Sequence, residues 1–113
     1  MKTKRPKSSK KFYKIESEVE RQLQADGWQP LFHDVQILGV QLDLIIRDPQ
    51  GQLVLIEVKT QSSSGLARLT RRQSQRLFRI CLFLAQWEPI SLSLALVEGT
   101  RIRLLPVDSL TQG

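Results

Sequence analysis

Apolar positions change their spacing along this chain, and each change marks an element. From about Tyr13 to Asp26, Ile15, Val19 and Leu23 recur every fourth residue, as on a helix with one buried face. Gly27 supplies its stop. A strand is expected between Pro30 and Ile37. Two further strands, Gln41–Arg47 and Leu53–Lys59, flank the turn Asp48-Pro49-Gln50-Gly51. Gln61–Gly65 is a loop by composition. A long helix is expected from about Leu66 to Trp87, stopping before Pro89. Ile90–Val97 and Arg101–Leu105 read as two last strands around Glu98-Gly99-Thr100. The order is α-β-β-β-α-β-β, without internal repeats.

The turn after Arg47 sets a register. Asp first, Pro second and Gly fourth suit a type I turn. A residue in the left-handed region then closes a three-residue hairpin loop, and Gly51 suits it. With Pro49-Gln50-Gly51 as the loop, paired residue numbers sum to 100, so Asp43 falls opposite Glu57. Opposed side chains on one face have Cβ atoms about 4.5–5.5 Å apart. A two-residue loop would shift the register and send Asp43 to the other face. Along the second strand, Leu53, Leu55, Glu57 and Lys59 share one side; Val54, Ile56 and Val58 take the other. Two carboxylates that close repel unless a cation lies between them, and a charged pair ending an apolar strand is costly to bury alone.

Charge adds a second feature. The chain has 113 residues and a net charge of +6. Seven of its 17 basic residues, Lys10 and Lys11 among them, fall in the first 14 positions, so the excess belongs to the start. Residues 1–11 read as a basic flexible arm and 12–113 as a single domain. Such an arm binds polyanions without sequence preference, or it is a solvated tail. On the long helix, Arg68, Arg72, Arg76 and Arg79 fall within an arc of roughly 80° that holds no acid. That stripe suits phosphate contacts. The neighbouring apolar face holds Leu66, Leu69, Leu77, Ile80 and Leu84, with Gln73 inside it. Phe78, Leu82 and Phe83 are the apolar positions left over for a dimer surface.

Other chemistries lack their parts. The single cysteine, Cys81, excludes an internal disulfide, lies in an apolar helical run and fits a reducing compartment. One histidine, His33, is too few for histidine-metal nucleases or zinc clusters. No Gly-rich phosphate loop or nucleophile elbow is present. No apolar run reaches membrane-spanning length, so no membrane role is expected and the cytoplasm is the default location.

Asp43, Glu57, Lys59 and Gln73 together resemble the PD-(D/E)xK nuclease superfamily, and within it YraN-like uncharacterised proteins and archaeal-type Holliday junction resolvases. The resemblance runs from about Glu16 to Leu84. Glu16, Leu23, Gly27 and Trp28 stand in the spacing of the family's first helix; Gly39, Asp43-Leu44-Ile45 and Ile56-Glu57-Val58-Lys59 match its strands. The resemblance implies an α/β, restriction-endonuclease-like α-β-β-β-α-β core, a central mixed sheet flanked by helices. It implies a Mg²⁺-dependent DNA endonuclease, with Mn²⁺ as substitute, selective for DNA structure. Asp43, Glu57 and the Val58 carbonyl would hold the metal, with Glu16 (or Glu18 or Glu20) completing the site. Lys59 would orient the attacking water and Gln73 would hold Lys59 or that water. Branched DNA is the implied partner, RNA is left open, and a homodimer is expected by analogy. Phe12, Gln61 and Leu77 depart from the family pattern. They sustain a second reading, a catalytically inert nucleic-acid-binding module on the same fold; a structural domain is a distant third.

Overall fold

The computed structural model describes residues 9–60 and 69–107, with side chains from Lys14 onward. Its elements are α1 (Ser9–Ala25), β1 (Gln29–Ile37), β2 (Val40–Arg47), β3 (Leu53–Thr60), α2 (Arg71–Leu84), β4 (Ile90–Glu98) and β5 (Arg101–Pro106). The expected order is present. The five strands form one sheet in the order β1-β2-β3-β4-β5. All neighbours are antiparallel except β3 and β4, which run parallel with α2 as their crossover. The sheet is mixed, with one helix on each face. Among the described residues, no helix is long and apolar enough to cross a membrane.

Alternation along β3 separates two cores. Val54, Ile56 and Val58 pack with Val19 and Leu23 of α1. Leu55 packs with Leu77, Ile80 and Cys81 of α2, and half-buried Leu53 joins it. Burial of Cys81 lifts its thiol pKa to about 11, which suits a packing role.

Local chemistry sets the element ends. Gly27, at φ 92°, closes α1. Trp28 N donates to Leu23 O at 3.0 Å and Gly27 N to Gln24 O at 3.1 Å, the paired bonds of a Schellman motif. Trp28 and Leu23 then meet in the α1 core. In the β2–β3 hairpin, Gly51 N donates to Asp48 O at 2.8 Å and Asp48 N to Gln52 O at 2.9 Å. The Asp48 carboxylate also accepts from the Gln50 and Gln52 amides. Gly51 has φ 85°, so the three-residue loop is the one expected. The ladder runs Arg47↔Leu53 through Leu44↔Ile56, every pair summing to 100.

Two expectations need correction. The long helix begins at Arg71, not near Leu66, and ends at Leu84. Thr70 caps it: Thr70 Oγ1 accepts from Gln73 N at 3.1 Å and Gln73 Oε1 accepts from Thr70 N at 3.0 Å. This reciprocal capping box was present in the sequence as Thr-x-x-Gln. Second, α1 already begins at Ser9, so Lys10 and Lys11 belong to a helix rather than to a flexible arm. Their side chains, and residues 1–8, 61–68 and 108–113, lie outside the description, and with them the loop 61–65, Leu66 and Arg68.

Candidate active site

Alternation assigns each β2 side chain to a face, and the structure follows it from Ile46 back to Leu44. On β2, Leu44 and Ile46 pack on the α1 side and Ile45 on the α2 side, as alternation requires. Leu42, two residues from Leu44, nevertheless packs on the α2 side. The neighbouring strand does the same. His33 lines a cleft beside α1, whereas Val35 packs on the α2 side. His33 pairs with Leu44 and Val35 with Leu42, so both strands reverse their sidedness at the facing residues Asp34 and Asp43. Asp34 has φ 52°, in the left-handed region, where aspartate is among the few tolerated residues. Its carboxylate accepts from Gln41 Nε2 at 2.7 Å.

This reversal decides where Asp43 points. The β2–β3 ladder closes at Leu44↔Ile56. One residue further, Asp43 Oδ2 accepts from Val58 N at 2.8 Å. The carboxylate therefore sits on the main chain between Glu57 and Lys59. Asp43 is 5% exposed, and it lines a cleft of about 70 Å³ with Glu16, Ser17, Glu20, His33 and Leu44. The expected Asp43↔Glu57 pair is not in the ladder, which ends at Leu44↔Ile56: Asp43 meets the Val58 main chain and turns to the α1 cleft, which Glu57 and Lys59 do not line. Simple alternation would have left it on the Leu53–Leu55 face, away from α1.

The helix glutamates sort themselves. Glu16 is 8% exposed and lines the cleft, with Glu20 one turn on. Glu18 faces elsewhere: Gln22 Nε2 donates to it at 3.1 Å and Arg21 pairs with it. Those bonds, from Gln22 foremost and then Arg21, hold its carboxyl below the ordinary glutamate value. Glu57 and Lys59 are half-buried at the C-terminal end of β3. Val58 is buried, and its amide is the Asp43 partner. Gln73 lies in the first turn of α2, where its Oε1 is committed to the Thr70 amide. The resemblance implied Gln73 at Lys59 or the attacking water; its Oε1 is taken up by the cap instead.

His33, alone in the sequence as a histidine, stands at the cleft. Its Nδ1 lies 3.2 Å from Glu20 Oε1, at the rim of the cleft. The Glu16/Glu20 spacing of one helical turn was the available signal. Arg72, Arg76 and Arg79 are all exposed on α2, and Arg71 is exposed beside them.

The donors fit an oxygen-preferring cation. Two buried carboxylates, Glu16 and Asp43, line one small cleft, and oxygen donors are what Mg²⁺ takes. Among the described residues, no three of His, Cys, Asp and Glu are grouped to hold an ion. Mg²⁺ is commonly held by one or two carboxylates while keeping several waters, so it needs no fuller cage.

The arrangement of sheet and helices is a restriction-endonuclease-like α/β fold. A repair endonuclease from Pyrococcus abyssi superposes with a TM-score of 0.52 at 16% identity, covering 88% of this chain and 43% of that one. The EndoMS–dsDNA2 complex gives a TM-score of 0.48 at 22% identity, covering 75% and 38%. The chain thus spans less than half the length of either protein. It belongs to the uncharacterised protein family UPF0102, whose profile matches residues 15–104. A relative in that family, the UPF0102 protein Reut_A3265 of Cupriavidus pinatubonensis, is 31% identical over 91 residues, covering 74% of this chain and 72% of the relative.

Proposed function

We propose that this chain is a Mg²⁺-dependent endodeoxyribonuclease that hydrolyses phosphodiester bonds in structured DNA, with branched junctions as the preferred substrate. The observation that carries the reading is the docking of the Asp43 carboxylate on the Val58 amide, between Glu57 and Lys59. It joins the acidic strand to the Glu-x-Lys strand at the point where their ladder ends. Glu16 then reaches the same cleft from α1.

In this reading Asp43 and Glu57, with the Val58 carbonyl, would hold the cation, and Glu16 would complete the set directly or through water. A bound Mg²⁺ or Mn²⁺ lowers the pKa of its water. Lys59, half-buried two residues beyond Glu57, orients the attacking water and offsets negative charge gathering on the phosphorus oxygens. The water oxygen bonds to phosphorus and gives up a proton to solvent, as the bond to the leaving ester oxygen breaks and that oxygen takes up a proton from solvent. Arg72, Arg76 and Arg79 hold flanking phosphates. Gln73 steadies the start of α2 through its cap, which is a positioning role.

The test is cleavage of four-way junction, flap and linear duplex DNA in Mg²⁺ or Mn²⁺. Junction cleavage abolished by both Glu57→Ala and Lys59→Ala is the expected result. Cleavage that survives both substitutions sinks the assignment. Salt-sensitive DNA binding without cleavage, and without carboxylate-dependent Mn²⁺ uptake in calorimetry, would instead identify an inert binding module.

A further inference from the structure

A backbone outlier lies on β1 at the point where the sheet turns over. Asp34 has φ 52°, whereas a residue of an antiparallel strand lies near about −140°. That difference rotates the chain after Asp34 by about half a turn, which exchanges the two faces of the strand. His33, before it, lines the cleft beside α1; Val35, after it, packs on the α2 side. β2 carries no such outlier: among the described residues, the non-glycine residues with positive φ are Asp34 and Leu38. β2 reverses at Asp43 all the same, because it stays in register with β1 on both sides of the reversal, as His33↔Leu44 and Val35↔Leu42.

Two further observations tie Asp34 to Asp43. The Asp34 carboxylate accepts from Gln41 Nε2 at 2.7 Å, which joins it to β2 two residues ahead of Asp43. Leu42, between Gln41 and Asp43, is fully buried in the α2 core. With Leu42 on that side, Asp43 turns the other way, where it is buried and accepts from the Val58 amide. A non-glycine residue held at positive φ persists only where its surroundings over-determine it, and such residues gather at functional sites.

We propose that Asp34 is a positioning residue for Asp43. Its left-handed backbone turns the β1–β2 pair over, and its bond to Gln41 holds β2 in the turned arrangement. Together they deliver the Asp43 carboxylate to Val58 and to the cleft. The placement of Asp43 stands on geometry alone; its consequence for a bound cation rests on the nuclease reading. Residues that orient a metal's ligands typically change metal affinity about 10–100-fold when replaced.

Amide hydrogen exchange at Val58, read by NMR on the full chain, reports whether Asp43 still holds that amide. Ala95, buried in β4, measures global opening. Asparagine tolerates the left-handed region and keeps a carbonyl oxygen for Gln41, so Asp34→Asn should exchange as the wild type does. A β-branched residue fits that region poorly and cannot accept the bond. Asp34→Val should therefore speed Val58 exchange on the order of 10-fold relative to Ala95. Gln41→Ala removes the bond and leaves residue 34 unchanged, and should speed it by about 3-fold. In calorimetry, Mn²⁺ affinity should fall on the order of 10-fold in Asp34→Val and hold in Asp34→Asn. Unchanged Val58 exchange in both Asp34→Val and Gln41→Ala overturns the proposal, and so does a loss that Asp34→Asn shares in full. Mn²⁺ affinity that keeps its wild-type value while Val58 exchange rises overturns it too. Should Asp34→Val not fold, Gln41→Ala against Asp34→Asn decides in the same sense. A wild type that takes up no Mn²⁺ defeats the nuclease reading instead, and Val58 exchange still judges Asp34.

Discussion

The Asp43 carboxylate accepts the Val58 amide proton at 2.8 Å, so a side chain of β2 takes the place of a β2 main-chain carbonyl as the acceptor for β3. A buried amide needs an acceptor, and leaving it without one costs about 1–3 kcal/mol. Asp43→Ala should lower the unfolding free energy by about that amount. Asp43→Asn keeps a carbonyl acceptor and should stay within about 1 kcal/mol of wild type. Urea unfolding distinguishes them, and equal losses in both variants would show that the hydrogen bond contributes nothing. If the metal reading holds, both variants lose Mn²⁺ binding despite their different stabilities.

Leu38 is held at φ 50° in the two-residue turn between Ile37 and Val40, with Gly39 at 77° after it. Positive φ at both central positions is the type I′ geometry, for which Asn-Gly is preferred. The left-handed conformation costs a leucine roughly 1 kcal/mol that asparagine largely avoids. Leu38→Asn should therefore raise stability by about 0.5–1 kcal/mol, visible as a higher melting temperature. A lower melting temperature would mean that the exposed leucine side chain contributes more than the backbone loses.

Glu88 gives the fold an acid limb. Arg47 donates both guanidinium nitrogens to its carboxylate, which holds Glu88 below its ordinary value of 4.5. A carboxyl with a lowered folded pKa contributes stability above its unfolded value, and this is lost as pH falls through the folded value. The contribution should be fully present above about pH 4.5 and fade below it. Glu88→Gln removes this coupling, so its unfolding midpoint should fall less steeply over the same acid range. Parallel profiles for wild type and Glu88→Gln would show the pair to be fully screened.

The arginine face of α2 has a reading in salt. If Arg72, Arg76 and Arg79 each neutralise one phosphate, each substitution by Gln should reduce the slope of log affinity against log salt by about 0.9 for duplex DNA. Losses should be similar for unrelated DNA sequences, since phosphate contacts carry no base information. Fluorescence anisotropy at several salt concentrations measures both. A slope unchanged in all three variants would assign the stripe to solvent.

Short-range chemistry made much of this protein legible. Asp48, Pro49 and Gly51 specify their turn through their own backbone preferences and hydrogen bonds, so the register from Arg47↔Leu53 to Leu44↔Ile56 could be read before any fold was known. The stop at Gly27 and the alternation of Leu53 to Val58 are local in the same sense. The Thr70–Gln73 cap was equally local, and its mark stood in the sequence. Tertiary structure decided the rest. Nothing in a period of two announces that β1 and β2 turn over together at Asp34 and Asp43, because that reversal depends on two strands and a helix meeting there. The same meeting selects Glu16 and Glu20 over Glu18 and brings His33 to the rim of the cleft. Periodicity assigns a side chain to a face; which residues converge on one point depends on where the strands bend and part, and those are contacts between segments distant in the chain.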